Sequence, residues 1–283
     1  MKNSEEIIQK VSDTVVKAGS AFRQDKIQAY QRAIAAEKNA NSKWVMETIL
    51  KNAFVAEKNI SPLCDDTGIP HVFIEVGKGK KISGQFLTDV MTGVAEGLTK
   101  LPGRPMAVLG TEVERIEQSK GLNPESSAVL PAPFLIKQID EDVIRVHIIL
   151  QGGGPAIRGI TYRIFHKHSI DTVIEEIVER GIDAVKQLGC TPCTLAIGIG
   201  RSQFEAAALM MEAQVYGTYD KQSELERTIS EKINECHIGP LGLGGRSVLA
   251  TFLKVGPQRA SGVRIVSIRP CCCFEPRISS VEL

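Results

Sequence analysis

The sequence has 283 residues, of which 43% are hydrophobic and 24% charged, and its 34 basic and 33 acidic residues leave a net charge of +1. This composition is that of a globular chain with a substantial core, and the balanced charge lacks the basic surplus of proteins that bind nucleic acids. No apolar segment approaches the roughly 18 residues of a membrane span, and the N-terminal MKNSEEIIQKV has no secretory signal pattern. We therefore expect a cytoplasmic protein that binds neither nucleic acid nor membrane.

The first sixty residues are predicted to be helical. EEIIQKVSDTVVKAG carries apolar residues at helical spacing and ends near Gly19. NSKWVMETILKNAFVAEKN repeats the pattern, with Asn41 or Ser42 as its N-cap. Pro62 then stops helix formation, CDDTG is a turn by composition, and HVFIEVG alternates like a strand.

The rest of the chain alternates strands and helices. The stretch from GVAEGLTKLPGRPMAV to NPESSAVLPAP is rich in Pro, Gly and Ser and is interpreted as loops around one helix. The predicted strands are VIRVHIILQ, CTLAIGIG and, as the last two, SVLATFLKV and GVRIVSIRP; the predicted helices are DTVIEEIVERGIDAVKQLG, SQFEAAALMMEAQVYG and the start of SELERTISEKINECHIGPLGLGG. We predict an α/β (mixed α+β) fold in a single domain, 1–283, with a helical portion over about 1–60 followed by interleaved strands and helices around mixed sheets.

Three of the seven cysteines share one local setting. Cys64, Cys190 and Cys273 each lie where a regular element meets a loop. Three widely spaced thiolates suit an iron–sulfur cluster with one iron left unligated, whereas a structural zinc site more often shows two CxxC pairs. Two alternatives remain open at this point: packed core cysteines, or a thiol redox pair of Cys190 and Cys193, although that pair leads into a strand and not a helix.

Two glycine-rich stretches, Gly152–Gly154 and Gly239–Gly245, follow a strand and a helix. Backbone without Cβ atoms can approach a ligand closely, and successive N–H groups can bind an anion. Tight turns are the alternative explanation. Arginines such as Arg104 stand beside such loops, and a guanidinium is a natural partner for a carboxylate.

Four motifs occur in the order found in one enzyme family. PLCDDTG resembles the PxCQDTG signature of class I, iron–sulfur-dependent fumarate hydratases, which the alpha subunit of L(+)-tartrate dehydratase also carries. GCTPCTLAIGIG resembles the family's Cys-Pro-Pro segment before Gly-Val-Gly-Ile-Gly-Gly, INECHIGPLGLGGRS resembles IN…GIGPxGLGG, and CFEPR resembles CWAxR. The similarity extends from Asn52 to Arg277, nearly the whole chain.

The resemblance implies a [4Fe–4S] cluster held by Cys64, Cys190 and Cys273. The iron without a cysteine would act as a Lewis acid in the reversible dehydration of a small 2-hydroxy dicarboxylate, malate/fumarate-like or tartrate-like. The distance to Arg277 favours Cys273 as the third ligand, and Cys271 takes its place if the register of the loop differs by two.

The resemblance also implies roles for residues beside the cluster. Asp66 would be catalytic and contact the substrate or a bound water. The implied substrate-binding residues are Asp65, Arg104, Gly152, Gly153 and Gly154. Asp65 stands where the family has Gln and adds a negative charge beside an anionic substrate. QGGGPAIRG stands in place of KGGGSEN, so the identity of the dicarboxylate stays open.

Single-chain members of the family are much longer than this chain, and their C-terminal half supplies further catalytic groups. The resemblance therefore implies an alpha subunit that needs a separate beta subunit, in a hetero-oligomer of the alpha2beta2 type. Two other functions are kept as alternatives: a cluster- or metal-binding subunit without catalysis, and a CxxC thiol redox protein.

Overall fold

The computed structural model describes residues 3–101 and 103–283. Its helices are α1 (Ser4–Ser20), α2 (Gln24–Ala36), α3 (Ala40–Asn59), α4 (Gly84–Lys100), α5 (Glu112–Glu117), α6 (Gly153–Ala156), α7 (Ile170–Leu188), α8 (Gln203–Tyr216) and α9 (Glu224–Asn234). Its strands are β1 (Ile69–Gly77), β2 (Leu135–Ile139), β3 (Ile144–Gln151), β4 (Ile160–Phe165), β5 (Cys193–Gly200), β6 (Val248–Val255), β7 (Val263–Cys271) and β8 (Arg277–Glu282). Within these described ranges, no helix is both long and apolar enough to cross a membrane.

The chain divides into two compact units. The first comprises Met1–Ala21, Ala53–Gly152 and Arg277–Leu283, and the second comprises Phe22–Asn52 and Gly153–Pro276. Helix α3 contributes residues to both. The predicted α/β class, with a helical N-terminal region and mixed sheets, is confirmed, and the single-domain organisation stays a prediction.

The first unit is built on a four-stranded sheet in the order β2-β1-β3-β8. Strands β1 and β2 are parallel, and the other neighbours are antiparallel. Alternate residues such as Val72 and Ile74 of β1 point into one apolar core, which α1 and α4 cover with Val11, Val15 and Val90. Every second residue of the strand and the helically spaced valines of α1 and α4 therefore pack into one core.

Helix α4 includes the segment GVAEGLTK, the start of the stretch interpreted as loops around one helix, and α5 is a second helix within that stretch. The glycines of α4 are used for packing against α1. A Cβ atom on Gly93 would lie 2.7 Å from the backbone oxygen of Ile8, and one on Gly97 would lie 2.5 Å from Cβ of Val15. The two helices approach so closely that only glycine fits at these two positions.

The second unit has a four-stranded sheet in the order β4-β7-β5-β6. Strand β5 pairs with β6 in parallel and with β7 antiparallel, and every one of its residues is buried. One face, with Leu195 and Ile197, packs against α7 and α9. On the other face, Cβ atoms on Gly198 or Gly200 would clash with the backbone of α8, so these glycines allow close packing of the strand against the helix.

Two local predictions are wrong. Helix α3 begins at Ala40, before the proposed caps, and the side chain of Asn39 accepts hydrogen bonds from the backbone N–H groups of Asn41 at 3.0 Å and Ser42 at 3.3 Å. SVLATFLKV and GVRIVSIRP are not the last two strands, because β8 follows them and pairs antiparallel with β3. Strand β8 has only six residues, and its burial does not alternate regularly. It is therefore difficult to recognise as a strand from its sequence.

The close contact between α1 and α4 predicts the effect of a single methyl group. Gly97→Ala should reduce the free energy of unfolding by about 1–3 kcal/mol, because overpacking outweighs the better helix propensity of alanine. Gly84→Ala, in the first turn of the same helix, is the control, since its Cβ would meet nothing within 4 Å. Urea denaturation measures the free energy of unfolding of both variants. Equal stability of the two variants would contradict the packing described.

Candidate functional site

The CDDTG motif forms a hydrogen-bonded turn between α3 and β1 in the first unit. The carboxylate of Asp65 accepts bonds from the thiol of Cys64 at 3.3 Å and from the backbone N–H of Asp66 at 2.9 Å. These two donors, with a smaller contribution from the nearby Arg104, hold the pKa of Asp65 below its ordinary value. Asp65 is therefore ionised at neutral pH and turned back towards its own loop.

Two arginines flank this turn in different ways. The exposed guanidinium of Arg104 lies 3.5 Å from the carboxylate of Asp65 and 3.8 Å from that of Asp66. Arg277, only 3% exposed, donates from Nη1 to the backbone oxygen of Asp66. The sequence analysis missed Arg277 as a site residue, although the CFEPR motif ends on it. Asp65, Asp66 and Arg104 thus lie close together beside Cys64, and their roles in a site stay a prediction.

The turn lies against the end of β3. Gly68 has φ +88°, and a Cβ there would lie 2.7 Å from the backbone carbon of Gln151 and 2.8 Å from Nη2 of Arg277. Gly152 follows directly and is buried. Gly153 begins the single helical turn α6 in the second unit, whereas a Cβ on Gly154 would meet nothing within 4 Å. The packing of the described chain therefore does not require glycine at 154.

In the second unit, Cys190 and Cys273 are neighbours although 83 positions separate them in the sequence. The backbone N–H of Cys273 donates to the backbone oxygen of Cys190 at 2.9 Å. Thr191 donates from its hydroxyl to the backbone oxygen of Gly239 at 2.6 Å, which ties the first glycine of the Gly239–Gly245 loop to the same segment. Three of the sequence motifs therefore meet here.

The turn after β7, which carries Cys273, is held by buried polar groups. Lys26 donates from Nζ to the backbone oxygen of Glu275 at 2.7 Å, and the hydroxyl of Tyr30 donates to the backbone oxygen of Cys273 at 2.8 Å. The carboxylate of Glu275 forms an ion pair with Arg269, and both side chains are almost completely buried. These contacts fix the path of the chain from Cys273 to Glu275.

Burial dominates the pKa of Lys26 and lowers it to about 8, while Cys272, Cys273, Cys271 and Glu275 act in the opposite direction. A hydrogen bond with Cys272, together with burial, raises the pKa of Cys273. Burial thus shifts the pKa of both Lys26 and Cys273. In such a buried region, a negative charge on sulfur needs a cation or a metal to stabilise it.

The cysteines of the CCCF segment have different surroundings. All seven cysteines of the chain lie in described residues, and none is in a disulfide. Cys271 ends β7, is fully buried, and accepts a 3.3 Å bond from Arg269 at its sulfur; burial raises its pKa to about 12. Cys273, and not Cys271, has its backbone bonded to Cys190. Burial also raises the pKa of Cys193, which does not suit a redox-active thiol.

The predicted ligands are divided between the units: Cys64 belongs to the first, and Cys190 and Cys273 to the second. Over residues 3–101 and 103–283, no group of three or more His, Cys, Asp or Glu residues is arranged to hold a metal ion. The structure thus pairs two of the three cysteines and sets the third beside Asp65 and Asp66, and a joint site stays a prediction.

Comparison with known proteins gives consistent similarities. A family model described as fumarate hydratase (fumerase) matches residues 8–281. A protein of Methanocaldococcus jannaschii named "Putative L(+)-tartrate dehydratase subunit alpha" is 29% identical over 97% of this chain and 98% of its own length. The L(+)-tartrate dehydratase subunit alpha of Escherichia coli K12 is 26% identical over 83% of this chain and 78% of its own. "Putative fumarate hydratase class I" of Geobacillus stearothermophilus is 26% identical over 87% of this chain, which covers 48% of its length.

The buried ion pair beside Cys273 predicts a large effect of one neutral substitution. Glu275→Gln should lower the free energy of unfolding by about 3–5 kcal/mol, because it leaves the buried charge of Arg269 without its carboxylate. Glu205→Gln is the matched control, since Glu205 pairs with Arg201 at the surface, where water screens the pair and its loss should have little effect on stability. Chemical denaturation of both variants checks this. A loss of unfolding free energy in Glu275→Gln no greater than that in Glu205→Gln would refute a structural role for the buried pair.

Proposed function

Because this chain belongs to the fumarate hydratase (fumerase) family and is accordingly a hydro-lyase, we propose that it is the alpha subunit of a [4Fe–4S]-dependent enzyme that reversibly dehydrates a small 2-hydroxy dicarboxylate. The observation that carries this proposal is the 2.9 Å backbone bond from Cys273 to Cys190. It sets side by side two cysteines, far apart in sequence, that the family resemblance implies as cluster ligands.

The chemistry of the residues present fits an iron–sulfur cluster. Iron–sulfur clusters are held by cysteine thiolates, and Cys64, Cys190 and Cys273 lie outside disulfides, on turns that are fixed by hydrogen bonds. Lys26 adds a buried cation that bonds the turn carrying Cys273. When bound, the cluster supplies a Lewis-acidic iron for the departing hydroxyl group, which is a poor leaving group in water.

The residues of the first unit suit the binding of an anionic substrate. Arg104 is exposed and lies near two carboxylates of its own chain, so a substrate carboxylate can take their place and form a charge-assisted pair. Asp66 is proposed to contact the substrate or a bound water as the catalytic group. Arg277 would act on Asp66 as a positioning residue through its bond to the Asp66 backbone oxygen. Asp65, Gly152, Gly153 and Gly154 would complete the substrate contacts.

The names of the relatives support the choice of partner and substrate class. Two of them are named as alpha subunits of L(+)-tartrate dehydratase and one as a fumarate hydratase. We therefore infer a tartrate-like or malate/fumarate-like substrate and a beta subunit that completes a hetero-oligomer of the alpha2beta2 type. We infer that the enzyme acts in the cytoplasm, where cysteine ligands stay reduced.

Iron analysis tests the ligand set. After anaerobic reconstitution with iron and sulfide, the chain should hold about four irons, and Cys64→Ser, Cys190→Ser and Cys273→Ser should each lose most of them. Cys271→Ser and Cys236→Ser should retain them, because Cys271 is packed against Arg269 and Gln214 and Cys236 contacts Ser247. Loss of iron in Cys271→Ser but not in Cys273→Ser would transfer the ligand role to Cys271.

Kinetics of the chain co-expressed with its beta subunit test the substrate contacts. Arg104→Ala should lower kcat/KM for a dicarboxylate about 10- to 100-fold, because a hydrogen bond to a charged group contributes about 1.5–3 kcal/mol. Arg115→Ala, an exposed arginine on α5, should leave kcat/KM unchanged. A panel of malate, fumarate and both tartrate enantiomers identifies the substrate. If no member of the panel reacts in a cluster-loaded complex, the hydro-lyase proposal fails for this substrate class.

A further inference from the structure

Two fully buried side chains of α2 bind the turn that carries Cys273. Lys26 bonds the backbone oxygen of Glu275 and Tyr30 bonds that of Cys273. The two residues are four positions apart, so they project from the same face of the helix, and they are 1% and 0% exposed. We call Lys26 and Tyr30 the α2 clamp, since they hold the same turn at two points.

The ammonium group of Lys26 lies over one ring of an aromatic group. Its Nζ lies 4.3 Å from the centroid of the Phe22 ring. That ring stacks on Tyr30 at 5.7 Å and lies 6.0 Å from the ring of Phe274, the residue after Cys273. The ammonium is therefore removed from water, and it has a cation–π contact with Phe22 and a hydrogen bond to the backbone oxygen of Glu275.

The buried charge of Lys26 is not matched by a carboxylate. Among the described residues, Lys26 has no acidic partner within salt-bridge distance, and the carboxylate of Glu275 is paired with Arg269. A cation removed from water without an anion beside it is strongly unfavourable. A further negative charge nearby would neutralise the charge of Lys26. Cys273, which lies on the turn that Lys26 binds, supplies such a charge when its thiol loses a proton and binds a metal.

We propose that Lys26 is a positioning residue that compensates the negative charge of the Cys273 thiolate in the cluster-bound protein, while Tyr30 fixes the backbone of Cys273 beside it. This inference rests on the proposed function. It assigns a role to α2, which lies outside all four sequence motifs. It also accounts for the presence of a lysine at a fully buried position, where an apolar residue would pack without a charge to stabilise.

The test uses the full chain, reconstituted anaerobically with iron and sulfide, and measures two properties other than turnover. One is the rate of iron loss to an excess of EDTA, and the other is the midpoint potential of the cluster in an EPR-monitored redox titration. Lys26→Met should lose iron about 10-fold faster or more, as is typical when an outer partner of a ligand is removed. Its midpoint potential should be lower than that of wild type, because reduction adds negative charge that Lys26 no longer offsets.

Two further variants separate charge from packing. Tyr30→Phe keeps the charge and the ring and removes only the hydroxyl, so it should lose iron faster than wild type while its midpoint potential stays unchanged. Arg32→Met lies on the same helix but pairs with Asp220 at the surface, so it should match wild type in both measurements. A purely structural role of Lys26 would alter stability but not the potential of a cluster that remains bound.

The outcomes are distinguishable. A wild-type chain that holds no cluster after reconstitution overturns both the proposed function and this inference. A wild-type chain that holds the cluster, with an unchanged potential and unchanged iron retention in Lys26→Met, overturns only the role of Lys26. If Lys26→Met does not fold, Tyr30→Phe decides: iron retention equal to that of wild type overturns the α2 clamp, and faster loss supports it.

Discussion

The hydrogen bond from the backbone N–H of Cys273 to the backbone oxygen of Cys190 is the interaction on which the candidate site depends. Cys190 follows the left-handed Gly189, which ends α7, and Cys273 lies in the turn after β7. Strands β5 and β7 are neighbours in one sheet, so the elements that begin and end near these two cysteines are already adjacent. The sheet thus brings the two segments together, and the backbone bond fixes their final separation.

Buried charge sets the character of the surroundings of Cys273. Lys26 and Arg269 contribute two positive charges and Glu275 one negative charge, all in residues that are almost completely buried. Such groups cost folding energy unless each is paired, and well-packed apolar residues in place of buried charges often give equal or greater stability. The excess of positive charge next to a cysteine is readily understood if the sulfur carries a negative charge in the functional state. The buried charges at this turn are therefore consistent with a thiolate at Cys273.

Much of the fold and of the candidate site could be predicted from the sequence, and the predictions that failed did so for physical reasons. The family resemblance drawn from four motifs is confirmed by the match over residues 8–281, and uniformly apolar CTLAIGIG was recognisable as a buried strand. The stretch that begins with GVAEGLTK was interpreted as loops around one helix and contains parts of two, because Gly93 and Gly97 serve contact between helices, which no local rule encodes. Arg277 and Lys26 were missed for a related reason: their importance comes from burial and from partners more than 200 positions away.

Mössbauer spectroscopy tests the central claim, that this chain holds a [4Fe–4S] cluster with one iron open to a substrate, most directly. The chain would be reconstituted anaerobically with ⁵⁷Fe and measured before and after addition of the dicarboxylate identified by the substrate panel. We expect four irons of a cubane cluster, of which one alone changes its spectrum when the dicarboxylate binds. Absence of a cubane spectrum, or a spectrum in which no iron responds to any dicarboxylate, would contradict this claim.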